Sequence, residues 1–344
     1  MATKNVILKD SSSNELRPET VITQVKDSSG SDLFTEASGV VSTTNGHSLN
    51  GASIGDSTIT SSKLAFKSHN SMLRGRDITS YFQDGSLWDR IHGTNGYQKF
   101  DDLYLGDYFN MGQAVTCPDS YSGTTGSQYC VIAGFNCLYG NGDSNAVTYD
   151  HIICVPGTGD IEHDSFGTEH FGRHAMNGSN TTAGGYAGSV MHTTVYGADQ
   201  DGNAVVTTAG TINAQLYAIF GSHLKATREL LSNSINSEGY NRFGSNTGCS
   251  NNWAWYTCYA VNMSEVEVYG TTIWSSSGYD TGTAKERLPL FALSDGAIND
   301  RSSYYWLKDV ASASFFAYVD GHGHADYGSA GHEDFYVRPR FVLS

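Results

Sequence analysis

Tyr304-Tyr-Trp-Leu-Lys-Asp-Val310 and Tyr336-Val-Arg-Pro-Arg-Phe-Val-Leu343 are the two stretches on which the reading of this chain turns. The second mixes apolar, aromatic and β-branched residues, as strands do. Phe315 to Val319 reads as a further strand, and Phe335 to Leu343 as a closing strand interrupted by Pro339. Between them, Asp320 to Tyr336 reads DGHGHADYGSAGHEDFY, without Leu, Ile, Val, Met, Lys or Arg. Such a segment has nothing with which to fill a core, yet it carries His322, His324, Tyr327, His332, Phe335 and Tyr336. Aromatic rings give large contact area at low entropic cost, while Asp, Ser and His add adaptable hydrogen bonds. That is the chemistry of a recognition surface.

Outward from this region, the body begins at Gly75, where Tyr81, Phe82, Leu87, Trp88 and Ile91 arrive in quick succession. Ser86 and Asp89 before Ile91 read as a short capped helical turn. Tyr129 to Phe135 and Tyr149 to Val155 read as strands. The spacing of Leu216, Ile219, Phe220, Leu224, Leu230 and Leu231 predicts a long helix over Asn213 to Ser232. Glu265 to Trp274 reads as a strand. Trp253 and Trp255 alternate on one strand face and are expected to be core, with a carbohydrate-stacking platform as the alternative.

Residues 1 to about 70 are rich in Ser, Thr, Asn, Gly and Asp and cannot bury a core alone. Ile54, Ile59, Leu64 and Phe66 are too thinly spaced for an isolated sheet, but three copies around an axis could bury them; a flexible linker is the other reading.

Charged residues make up 16% of the 344, and the formal charge of −15 speaks against nucleic acid or anionic membranes as partners. Met1 to Asp10 lacks the apolar stretch of a secretory signal, and no window approaches the roughly 20 apolar residues of a membrane span. Cytosolic synthesis is the expectation. Cys117, Cys130, Cys137, Cys154, Cys249 and Cys258 form no CxxC pair. They read first as buried free thiols, with disulfides formed after release or a metal site as alternatives.

Several blocks resemble one family. GRDITSYFQDGSLWDRI (Gly75 to Ile91), MNGSNTTAGGYAGSVM (Met176 to Met191), MSEVEVYGTTIWSSSGYDTG (Met263 to Gly282), YYWLKDV and YVRPRFVL are similar to gut-phage tail-fibre proteins ending in a C-type-lectin fold, some of them targets of diversity-generating retroelements. The stretch SIGDSTITSSKLAF looks like the gly-ser-ile-thr-ser-ala-lys-leu-ala repeats of trimeric tail fibres. The resemblance implies an α+β, C-type-lectin-like (formylglycine-generating-enzyme-like) domain whose N- and C-terminal strands lie close together, after an extended trimeric collar. It further implies residues 1–45 as a tail-attachment segment, 46–74 as collar, and 75–344 as receptor-binding domain with a variable region at about 311–336. Retroelement diversification replaces adenines of AAC or AAT codons. Every residue from Asp320 to Tyr336 except Glu333 is reachable that way; an ordinary Gly-rich binding loop is the alternative.

The expected ligand-binding residues are Tyr318, Asp320, His322, His324, Asp326, Tyr327, Ser329, His332, Asp334, Phe335 and Tyr336, on a scaffold of Trp306, Val337, Arg338 and Pro339. Phe341 is expected to pack beneath the surface with Trp306. The resemblance implies a homotrimeric phage tail-tip adhesin in the virion, joined to a tail or baseplate protein by its N-terminus and holding a host-surface glycan or protein. The rivals are a tail-associated polysaccharide depolymerase and a structural decoration protein. No G-x-S-x-G elbow, P-loop or H-E-x-x-H supports catalysis, so neither a catalytic residue nor a cofactor is expected. Glu162-His163-Asp164, Glu169, His170 and His174 could bind a metal only on a helix, which Gly167 and Gly172 oppose. His322 and His324 carry a metal reading no better, and all of these histidines read first as surface or loop residues.

Overall fold

The computed structural model describes residues 34–37, 40–43, 66–118, 126–144, 146–159, 170–236, 248–275, 286–299 and 303–344. The chain divides into two units, Met1–Thr60 and Ser61–Ser344. In the first, strands β1 (Phe34–Ala37) and β2 (Val40–Thr43) form an antiparallel hairpin. The rest of the expected attachment segment, together with Ile54, Ile59 and Leu64, lies outside the described residues.

The second unit is mixed α+β and mostly sheet. It begins earlier than Gly75. His69 is buried against Phe100 and Phe135, and the Asn70 amide both donates to and accepts from the Phe135 backbone. Residues 69–74 are therefore packed body, not extended collar, because the aromatic wall of residues 100–135 gives them a surface to cover. Helices α1 (Thr79–Gln83) and α2 (Ser86–His92) follow. The N-cap of α2 is Gly85 at φ +80°, and Asp84 rather than Ser86 supplies the side-chain acceptor, taking the Ser86 N–H at 2.8 Å.

The main sheet runs β3 (Tyr108–Val115), β4 (Ser127–Phe135), β5 (Ile152–Pro156), then β13 (Pro339–Leu343) and β6 (Leu224–Lys225), with β9 (Ala260–Asn262) also paired to β13. The last strand of the chain is thus central. On one edge Phe341 to Leu343 pair with Cys154 to Ile152; on the other, Val342 and Leu343 meet β6 while Pro339 to Phe341 meet β9. Its neighbour β5 is apolar without interruption because both faces are covered. Ile132, Cys154, Phe341 and Leu343 enter one apolar cluster, and Val131, Ile153, Val155 and Val342 enter the other. Pro339 opens β13 rather than interrupting it, at a position that needs no ladder donor.

The two ends of this unit approach through a helix and not through paired strands. Two strands separate β3 from β13, while the Ser344 hydroxyl lies 3.4 Å from His92 Nε2 of α2, and His223, stacked on Trp88, contacts the Ser344 carbonyl.

Three further sequence expectations are corrected. The helix predicted over Asn213 to Ser232 stops at Phe220: α3 (Ile212–Phe220) gives way at Gly221 (φ +55°), and Thr227–Asn236 is strand β7, paired with β8 (Cys249–Cys258). Leu230 and Leu231 mimic a helical stripe but sit on opposite faces of that hairpin. The strand predicted over Glu265 to Trp274 is helix α4 (Glu265–Tyr269) and a following turn. Ser264 and Glu267 form a reciprocal capping box, which outweighs the β-branched Val266 and Val268. Trp253 and Trp255, expected in the core, are half-exposed on β8.

No disulfide joins the six cysteines, of which five are buried and Cys137 is partly so. Burial pushes the thiols of Cys130, Cys137 and Cys258 up, Cys137 to about 12, so they stay protonated. Among the described residues no helix is long and apolar enough to cross a membrane.

Candidate functional site

Helix α5 (Pro289–Leu293) precedes a three-stranded antiparallel sheet of β10 (Tyr305–Val310), β11 (Phe315–Val319) and β12 (Ala325–Ser329), which carries the sequence-predicted residues. Alternation sends Trp306, Phe316 and Tyr318 to one apolar cluster and Tyr305, Ala317 and Val319 to the other. A hairpin pairing Tyr318 with Asp326 and Val319 with Ala325 leaves a five-residue turn at its tip.

That turn is built by its first residue. Asp320 Oδ1 accepts the backbone N–H groups of His322 and His324, both at 2.8 Å, and the Asp320 N–H donates to the His324 carbonyl. Gly323, at φ +85°, closes the loop. Partial burial works against ionisation of Asp320, but the two backbone donors and the facing histidines hold its carboxyl below the usual range. The His322 and His324 side chains, 82% and 77% exposed, project from this turn with near-parallel rings 6.0 Å apart. Asp320 is accordingly half-buried and structural.

The segment after β12 does fill a core. Phe335 to Val337 runs between residues 304–306 and 171–174: the Tyr336 N–H donates to the Tyr304 carbonyl, the Trp306 N–H to the Tyr336 carbonyl, the His174 N–H to the Phe335 carbonyl, the Val337 N–H to the Gly172 carbonyl and the Phe171 N–H to the Val337 carbonyl. The Phe335 ring lies 4.5 Å from Trp306 and 4.4 Å from Tyr318, while Tyr336 stacks on His170 at 3.5 Å beneath the Arg173 guanidinium, which donates to its hydroxyl. Tyr318, Phe335 and Tyr336 are therefore buried, contrary to the expectation that they face solvent. Sandwiched backbone leaves these rings nowhere to go but inward. The Tyr318 hydroxyl still reaches Asp326 at 3.0 Å, and burial with that carboxylate raises its pKa.

The remaining predicted residues divide by exposure. His332 and Asp334 are exposed, and Asp326, Tyr327 and Ser329 are half-buried. Tyr327 meets Trp274 edge-on at 4.7 Å. All four expected scaffold residues, Trp306, Val337, Arg338 and Pro339, are buried. Trp306 Nε1 donates to the His174 carbonyl, and the Arg338 guanidinium lies over Tyr305 and Phe291. Phe341 is buried with Trp306 in one cluster.

Sequence reasoning missed what holds this region in place. Thr182 donates through Oγ1 to the Ser312 carbonyl and through its N–H to Ala313, the Asn177 N–H donates to Ala330, and Asn180 Oδ1 accepts from Gly331. Residues 177–182 thus clamp both ends of the 311–336 region. The signal was available in the Asn- and Thr-rich block from Met176, whose side chains suit backbone contacts. It also missed Tyr304, 42% exposed and stacked on Phe335. Glu265 was missed too: buried, it accepts the N–H groups of Ile273, Trp274 and Ser275 and so seats Trp274, whose Nε1 reaches the Ala325 carbonyl.

His170 and His174 do not converge on an ion. His170 stacks on Tyr336, and His174 Nδ1 contacts the Ala175 carbonyl. Glu162, His163, Asp164 and Glu169 lie outside the described residues, and among those described no group of three or more His, Cys, Asp or Glu is placed to hold a metal. Comparison with family models, with curated proteins and with solved structures returned no match for this chain.

Proposed function

We propose that this chain is a phage tail-tip adhesin, a homotrimer whose C-terminal region binds a host-cell surface receptor from a C-type-lectin-like scaffold. One observation carries the reading, the division of labour within residues 311–336. Fold-bearing contacts there come from backbone hydrogen bonds and from Phe316, Tyr318, Phe335 and Tyr336, while His322, His324, His332 and Asp334 project outward. Side chains so placed can change without changing the fold. That is what a surface altered by a diversity-generating retroelement requires, and several weak sites per virion would add by avidity. Tyr327, Asp326 and Ser329 form the half-buried rim of the same face. In this reading residues 1–45 attach to the tail or baseplate, and the chain is not an enzyme.

Replacing His322, His324, His332 and Asp334 together with Ala tests it. The purified variant should lose the ability to block phage adsorption while its melting temperature stays within a few degrees of the parent. Undiminished blocking by the variant refutes the assignment. Release of new reducing ends from host glycan would point instead to a depolymerase.

A further inference from the structure

The β7–β8 hairpin carries two tryptophans that the core does not absorb. Its pairing runs from Thr227–Cys258 to Ser232–Trp253 without a register shift, and side chains along each strand alternate between two faces. Thr227, Glu229 and Leu231 of β7 and Cys258 of β8 are buried on the inner face, where Tyr256 meets the His192 ring at 6.2 Å. Arg228, Leu230, Trp253 and Trp255 take the outer face, with Leu230 directly opposite Trp255. Leu230, Trp253 and Trp255 are partly exposed and belong to neither apolar cluster. The underside is anchored. Glu229 accepts from buried Arg340, and the Ser232 carbonyl and hydroxyl accept the N–H groups of Ala187 and Tyr186. The outer face is therefore a rigid ledge whose two indoles spring from one strand roughly 6.6 Å apart.

Charge and area narrow what can cover this ledge. At one end Arg228 is closed: it donates to Asp143 at 2.7 and 2.9 Å, to the Thr257 hydroxyl and to the Trp255 carbonyl. At the other end stand Ser234 and the exposed amides of Asn251 and Asn252, and the Ser234 hydroxyl donates to Asn251 Oδ1, which leaves the Asn251 amide nitrogen to a ligand. An uncharged partner with hydroxyls is the complement. A second copy of the chain would need about 800 Å² per partner, whereas three side chains of roughly 150–250 Å² each, already partly covered, supply far less apolar area. We infer that this ledge binds an uncharged oligosaccharide, one pyranose ring stacked on Trp255 and the next on Trp253, with sugar hydroxyls meeting Asn251 and Asn252. Partial exposure suits this role, since one side of each indole is held by the protein while the other takes the apolar face of a sugar. The site uses no residue of 311–336 and stands whether or not that region binds a receptor.

The test titrates the full chain with cellohexaose, maltohexaose, laminarihexaose and mannohexaose, using glucose and hexagalacturonate as controls. Ligand-observed NMR supplies the readout and needs no variant. Saturable binding of at least one uncharged hexamer is expected, at least ten-fold tighter than either control. Trp253→Ala and Trp255→Ala should each weaken it ten-fold or more, while Trp255→Tyr, which keeps a stacking ring and the fold, should weaken it three-fold at most. The variant replacing His322, His324, His332 and Asp334 with Ala should bind the sugar as the parent does. Absence of binding by all four hexamers, equal binding of hexagalacturonate, or binding indifferent to both Trp→Ala changes overturns the inference. So does a Trp255→Ala chain that binds no sugar and sediments as a smaller species than the parent, since a second copy would then cover the ledge. Adsorption blocking judges the adhesin reading separately: a chain that blocks phage but ignores the hexamers remains an adhesin without this site, and one that binds a hexamer yet never blocks keeps the site and loses the adhesin.

Discussion

Phe335 packs on Gly328: a Cβ at residue 328 would lie 2.7 Å from Phe335 Cε2 and 3.2 Å from the Tyr318 ring. The Phe335 ring cannot yield, because Tyr304, Trp306 and Tyr318 surround it within 4.4–5.4 Å. Gly328 is therefore the place where β12 lets the aromatic cluster approach its backbone.

Gly328→Ala should overpack this contact and cost about 1–3 kcal/mol, read as a lower urea midpoint at unchanged slope. Ala at the exposed His332 should move that midpoint by no more than about 0.5 kcal/mol. A neutral Gly328→Ala would mean that the cluster is loosely packed.

Beneath the same sheet, a second relationship sets acid stability. Arg340, 1% exposed, donates to Glu229 Oε2 at 2.8 Å and to Glu267 Oε1, while Lys308 Nζ lies 3.6 Å from Glu267. Two buried cations thus face two buried carboxylates. Burial alone would raise the Glu267 carboxyl, but Arg340 and Lys308 overcome it and hold the group at about 2. A carboxyl lowered on folding stabilises above its unfolded value near 4.5 and loses that contribution as pH falls toward 2. Denaturant midpoints should therefore drop between pH 4.5 and 2, and Glu267→Gln should flatten that drop. Arg340→Met, which strands two carboxylates, should cost about 3–5 kcal/mol at pH 7.

Such charges were not legible in the sequence. Glu229 follows Arg228 and Lys308 precedes Asp309, the pattern of a half-solvated strand, and only the meeting of Thr227–Asn236, Tyr305–Val310 and Pro339–Leu343, from three different sheets, buries these charges against Arg340. Where apolar residues run on, as at Val131 to Phe135 and Ile152 to Val155, strand and burial were both readable. The site followed the same logic. Lack of Leu, Ile, Val and Met marked residues 320–336 as surface, which holds for His322, His324, His332 and Asp334 and fails for buried Gly321, Ala330, Phe335 and Tyr336. Aromatic character alone could not say that Phe335 and Tyr336 point inward, because their burial comes from flanking segments distant in sequence. The over-long helix at Asn213 shows the same limit, since Leu224 to Leu231 satisfy a helical period that pairing of Leu224 with β13 and of Thr227 to Asn236 with β8 overrides.

Histidines lowered by burial, His151 and His170 among them, set a separate pH window. His151 is fully buried; its Nδ1 contacts the Tyr149 carbonyl at 3.0 Å and its Nε2 accepts the Leu138 N–H, which assigns the proton to Nδ1. Burial lowers it to about 4, and burial with the Arg173 and Arg338 charges lowers His170 to about 3. A histidine lowered on folding is protonated first in the unfolded chain, so stability falls as pH drops below about 6.5. Each should cost on the order of 1–2 kcal/mol at pH 5. His170→Phe keeps the stack on Tyr336 and removes one titration. The pH 7.5 to pH 5 difference in urea midpoint should shrink for this variant while the drop below pH 4.5 persists.

Asp320 supplies the sharpest separation of support from recognition. Its Oδ1 takes two backbone donors of the tip, so the turn depends on an acceptor at that atom and not on a charge. Asp320→Asn retains the acceptor and should leave stability within about 0.5 kcal/mol, whereas Asp320→Ala orphans both N–H groups and should cost about 0.5–2 kcal/mol. On the adhesin proposal, receptor binding should follow the turn: kept by Asn, and reduced by Ala although His322 and His324 are unaltered. If Asn instead abolished binding at full stability, the carboxylate itself would be touching the receptor, and the boundary between scaffold and contact surface would move down to the first residue of the loop.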